Sequence, residues 1–113
     1  MSASVFRVAA TGTGPISDWL AVPTGQTYRV LSVMLNLNVA PTTSENLTIT
    51  LDAVEGAPYD TLLYSLDLAA GATTDLVWQP DAKFVLLGGD KLTVAWPNTD
   101  GRTWGLLVTA EAL

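Results

Sequence analysis

The sequence predicts an all-β domain in which two antiparallel sheets pack as a jelly-roll-like sandwich of eight or nine short strands. Three observations carry this. Apolar and polar residues alternate with period two over most of the chain, the mark of strands with one packed face and one wet face. Turn-forming clusters rich in Gly, Pro, Asn and Asp recur about every 8–15 residues, the spacing of a sandwich or barrel rather than of βαβ units. No stretch keeps a convincing 3.6-residue period, so helix is scarce.

The strands follow in order. Residues 3–9 and 18–22 open the chain, separated by the turn chemistry of TGTGP. In 28–39, Leu31, Val33, Leu35, Leu37 and Val39 share one face, and Ser32, Asn36 and Asn38 share the other with Val30 and Met34. In 46–53, Leu47, Ile49, Leu51 and Ala53 alternate with Asn46, Thr48, Thr50 and Asp52. In 61–68, Leu62, Tyr64, Leu66 and Leu68 oppose Thr61, Leu63, Ser65 and Asp67. Shorter strands follow at 74–78, 83–87, 91–96 and 103–110. Residues 16–113 form a single sandwich domain. Residues 1–15 carry two readings: an N-terminal arm tied loosely to the body through the Gly-Thr-Gly-Pro stretch, or, the one favoured, 3–9 as the first strand of the same sandwich.

Composition narrows the function. The 113 residues carry 14% charged and 49% hydrophobic side chains, too apolar for a disordered chain. Eleven acids against five bases give a net charge of −6, which argues against nucleic-acid binding through a basic face and against docking to anionic lipid. There is no His, the commonest neutral-pH acid/base, and no Cys, hence no disulfide, thiolate nucleophile or cysteine-ligated metal. The first residues lack the basic-then-apolar pattern of a signal peptide, so the chain is expected to be made in the cytoplasm.

Chemistry has few footholds. A Ser or Thr nucleophile would depend on Lys83, Lys91 or a carboxylate as base, and no phosphate-cradling glycine motif occurs. The chain is therefore read as non-enzymatic, without catalytic, cofactor or resident metal residues. Calcium is the inorganic alternative, through Asp52, Glu55 and Asp60, or through Asp90, Asn98 and Asp100. Neither group has an established ligand spacing, and carboxylates that cap turns account better for both. Of four tryptophans, Trp78, Trp96 and Trp104 fall in phase with apolar neighbours and are expected in the core. Trp19 is expected to cap one end of the sandwich, and Trp19 and Trp104 are the candidate contacts if glycans are bound. The sequon Asn46-Leu47-Thr48 has no role assigned in a chain without a secretory signal.

The expected surface is the unusual feature. Val30, Met34, Leu63, Val77 and Leu107 are apolar at positions the alternation turns outward, and apolar patches usually mark an interface. A homo-oligomer of threefold symmetry, or assembly on a larger lattice, is expected. Val30, Met34 and Leu63 are the candidate interface residues among them.

The segments APTTSENLTITLDAVEGAPYDTLLYSLDL, LVWQPD and GGDKLTVAWPNTDGRTWGLLVTAEAL resemble short β-sandwich proteins from the virion-structure gene clusters of tailed bacteriophages. The resemblance runs from about Tyr28 to Leu113. Its most distinctive pieces are Gly89-Asp90-x-Leu92-x-Val94 and Asn98-Thr99-Asp100-x-Arg102-Thr103-Trp104-Gly105. It implies a structural role in the virion, most simply a capsid decoration (cement) protein, often trimeric, bound to the major capsid protein. For such a protein it also implies an arm at residues 2–9 that adds a strand to a neighbour, with Val5, Phe6 and Val8 as anchors and Arg7 as a charge contact. The rival readings are a neck, fibre or tail-tip component that binds host glycans, and a stand-alone carbohydrate-binding module.

Overall fold

Strands form where the alternation predicts them. The computed structural model describes residues 4–17 and 19–113, with the side chain of Trp19 outside that description. Among the described residues nine strands follow in order: β1 (Ser4–Gly12), β2 (Trp19–Ala21), β3 (Thr27–Leu37), β4 (Asn46–Asp52), β5 (Thr61–Asp67), β6 (Asp75–Trp78), β7 (Val85–Leu87), β8 (Lys91–Ala95) and β9 (Trp104–Ala112). Ala57–Tyr59 forms one turn of 3-10 helix between β4 and β5, opened by Pro58. Among the described residues no helix is long and apolar enough to cross a membrane.

One sheet runs β1-β9-β3-β6 and the other β2-β8-β4-β5, with all pairings antiparallel. β7 also pairs β3, on Thr27–Arg29, beyond the Val33–Asn36 stretch that pairs β6. β6 and β7 thus act as one strand interrupted by the loop 79–84. Counted so, the orders become 1-8-3-6 and 2-7-4-5, the double Greek key of a jelly roll. The first strand lies in the sheet: β1 is registered to β9 along its whole length. Of the arm reading, residues 1–3 lie outside the described residues.

The core fills the space between the sheets. Val30, Val33, Leu35, Leu37, Leu106 and Val108 come from one sheet, and Leu47, Ile49, Leu92 and Val94 from the other. Trp96 is fully buried, and Ile16 pairs it through an isolated bridge. Each Leu or Ile taken out of water contributes about 1.5–3 kcal/mol, the main favourable term in a chain without covalent staples.

Two bulges reverse the expected alternation. In β3 the register against β9 shifts between Val30 and Ser32, leaving Leu31 as the extra residue. Val30 therefore faces the core with Val33 and is 2% exposed, not on the outer face as the unbroken pattern implied. In β5 the register against β4 shifts so that Ile49 faces Tyr64 while Thr50 faces Leu62. Leu63 turns onto the core and Leu62 becomes 58% exposed, the reverse of the expected assignment.

Side chains tie the rims of the sandwich. At one rim Asn98, buried and at φ 51°, donates from Nδ2 to the carbonyls of Gly14 and Arg102 at 2.9 Å. Its Oδ1 accepts from the Arg102 N–H. Asp100 accepts from the N–H and hydroxyl of both Thr42 and Thr43. At the other rim Asp90 accepts from the N–H of Val54 and Leu87. There Gly88 packs where a Cβ would lie 2.8 Å from the backbone N of Gly25, a close approach that only glycine permits.

Candidate functional site

Residues paired across an antiparallel sheet share a face, so the register identifies what each sheet turns outward. In the β1-β9-β3-β6 sheet the rows through Leu106–Leu35 and Val108–Val33 are buried. The intervening rows form the outer face. One row, Ala9–Leu107–Met34–Val77, crosses all four strands and is apolar throughout. Val77 is 59% and Met34 40% exposed. On one side lies the row Thr11–Gly105–Asn36–Asp75, where Asn36 Nδ2 donates to Asp75 Oδ1 at 2.6 Å. On the other lie Arg7–Thr109–Ser32 and then Val5–Glu111–Arg29–Val85, with Arg29 and Glu111 paired at 3.1 Å.

Two hollows flank Met34. The first, of about 440 Å³, is lined on this face by Met34, Asn36, Asp75, Val77, Gly105 and Leu107. Gly105 creates it, since a Cβ there would meet nothing within 4 Å. The second, of about 400 Å³, is lined by Val5, Phe6, Arg7, Ser32, Met34 and Thr109. The face is thus an apolar ridge between two recesses, each with polar groups at its border.

The other sheet turns out a different surface. Thr50 pairs Thr93, Thr48 pairs Ala95 and Ser65, and Asp52 pairs Lys91. Among the described residues Leu62 is its exposed apolar exception. The Trp19 side chain, the expected cap and candidate glycan contact, lies outside the described residues.

The predicted site residues separate accordingly. Val5, Arg7 and Met34 lie on the apolar outer face. Phe6 turns to the inner side of β1 and packs edge-on against Tyr28, with ring centroids 4.9 Å apart. Val8 shares the inner row of Val108 but stays 42% exposed, because β1 is the sheet edge. Val30 is in the core, and Leu63 lines a recess with Trp78 and the loop 79–84. Trp104 is 6% exposed and its indole N–H donates to the Gly14 carbonyl at 2.9 Å. That removes it as a sugar platform, because its ring is enclosed by the chain.

The carboxylates are distributed, not gathered. Asp90 and Asp100 flank β8 at opposite rims, and Asp60 caps the Ala53 N–H at 2.8 Å. Among the described residues no group of three or more metal-ligating side chains converges. The Thr43 hydroxyl, followed by the N–H groups of Thr43 and Thr42, holds the Asp100 carboxyl well below the usual carboxylate range. The Ser44 hydroxyl does the same, more mildly, for Asp67. Both act on loop geometry.

Sequence reasoning found Met34, Val77 and Leu107 but missed Ala9 and the recess at Gly105. The available signal was the glycine itself, placed inside the strong strand pattern after Trp104. No protein-family model matches the chain, and a search of curated proteins finds no match to it.

Proposed function

We propose that this protein is a non-enzymatic structural subunit that works by docking, using the outer face of the β1-β9-β3-β6 sheet. One observation carries the proposal: an apolar row, Ala9–Leu107–Met34–Val77, runs across a whole sheet and is left uncovered by the fold. A soluble monomer gains nothing from such a row, whereas a partner protein covering it recovers the hydrophobic term. The polar border of Asn36, Asp75, Arg7 and Thr109 gives the patch the apolar-centre, polar-rim pattern of protein interfaces. Together with the resemblance to tailed-phage virion proteins, this favours a capsid decoration protein bound to the major capsid protein. Its modest single contacts would be reinforced by the many copies of a lattice.

Quantitative mass spectrometry of purified particles from the source tests this. The expected result is a ratio to the major capsid subunit near one, or a simple fraction of it. A few copies per particle would instead indicate a neck or fibre position, and absence from the particle would overturn the virion reading.

A further inference from the structure

The sandwich has four sheet edges, and three of them are blunted. β2 is three residues long, β6 and β7 are four and three and are separated by a loop containing Pro80, and β5 is bulged. Short, interrupted and bulged edges resist pairing with other chains. β1 differs on every count. It runs nine residues, SVFRVAATG, in unbroken register with β9, contains neither Pro nor Lys, and carries one charge, Arg7. Among the described residues it pairs only with β9, so its other edge presents a row of backbone donors and acceptors. Val5 and Val8 on it are 61% and 42% exposed.

We propose that this edge pairs antiparallel with β1 of a second copy, about a twofold axis through Val8. The strand itself selects this register. Val8 is the midpoint of Ser4–Gly12, so centring there gives every residue of the strand a partner. It sets Phe6 opposite the partner's Ala10, a large side chain against a small one, on the side facing the core. It sets Arg7 opposite the partner's Ala9, so the guanidinium groups are not directly opposed; a register centred one residue earlier would oppose them. The two Val8 side chains meet at the axis and cover the surface that the edge leaves open. The result is one continuous sheet across two copies, with both apolar rows on the same side. Pairing of identical antiparallel strands is a twofold contact, which departs from the threefold association implied by the resemblance.

Sedimentation equilibrium of the full chain tests this without any particle, so it stands or falls separately from the docking proposal. The wild type is expected at twice the 11.9 kDa chain mass, and Val8→Lys at the monomer mass with unchanged far-UV circular dichroism. Directly opposed strand residues lie about 4.5–5.5 Å apart at Cα, within disulfide range. Val8→Cys, in a chain without cysteine, is therefore expected to form a covalent dimer on mild oxidation. This second variant decides the matter if Val8→Lys fails to fold. A monomer at millimolar concentration, a trimer, failure of Val8→Cys to cross-link, or a dimer broken by Met34→Asp but not by Val8→Lys would each overturn the pairing.

Discussion

The two outer faces of the sandwich are made from strands with the same alternation, longer in one sheet than in the other, and they are opposite surfaces. One carries Thr48, Thr50, Thr93, Ser65 and the cross-strand neighbours Asp52 and Lys91, polar side chains, with Leu62 as the exposed apolar exception among the described residues. The other carries Ala9, Leu107, Met34 and Val77 in one row between two recesses. Both sheets bury equally apolar inner faces, so the core does not require the difference. What the contrast teaches is that an outward apolar row is separable from the core and can be altered without touching it.

The sharpest way to break that comparison is to place the same charge on either side of one strand. Val33 and Met34 are neighbours in β3, one 1% and the other 40% exposed. Val33→Asp buries an unpaired carboxylate and is expected to destabilise by about 4 kcal/mol or more, leaving little folded protein in a urea titration. Met34→Asp is expected to shift the same titration by only about 0.5 kcal/mol.

Docking should show the reverse ranking between faces. Met34→Asp is expected to weaken association with particles about tenfold or more, as charge at the centre of an apolar contact does. Thr93→Asp, on the other face, is expected to leave co-sedimentation with particles unchanged. Equal losses from both variants would remove the distinction.

Filling the recess tests its shape rather than its polarity. Gly105 has ordinary strand backbone and open space at its Cβ position. Gly105→Ala is expected to stabilise the fold by about 0.4–1 kcal/mol through the unfolded chain. Thermal melting reads that gain, and particle binding should fall while stability rises.

The smallest effect lies at the rim that holds the faces together. The Asp100 pKa is depressed on folding from its ordinary 3.8. Its contribution is therefore complete above that value and is lost as pH falls below it toward the folded-state pKa. Asp100→Asn is expected to melt below the wild type near neutral pH, with the gap closing on acidification below about pH 4. A gap that stays constant with pH would show that the carboxylate charge is not what the Thr42 and Thr43 bonds stabilise.

Much of this architecture was legible beforehand. The sequence pattern located all nine strands to within a few residues, because turn chemistry and period-two alternation are local properties. The bulges were not legible. Leu31 and Leu63 sit in runs where apolar residues occupy both phases, so either phase satisfies the pattern until the partner strand imposes a register. That is why Val30 was expected outside and is buried. Asp90 and Asp100 looked like one group because they are close in sequence, but the extended strand β8 between them carries them to opposite rims.

By itself the sequence determined the sheet class, most of the core and the scarcity of catalytic groups, since these follow from alternation and from which residue types are present. Met34, Val77 and Leu107 could be named from it as outward. That they join Ala9 in a single row was decided only by the tertiary structure. Those residues belong to four strands spread from one end of the chain to the other, and only the pairing register of a Greek-key sheet makes them neighbours.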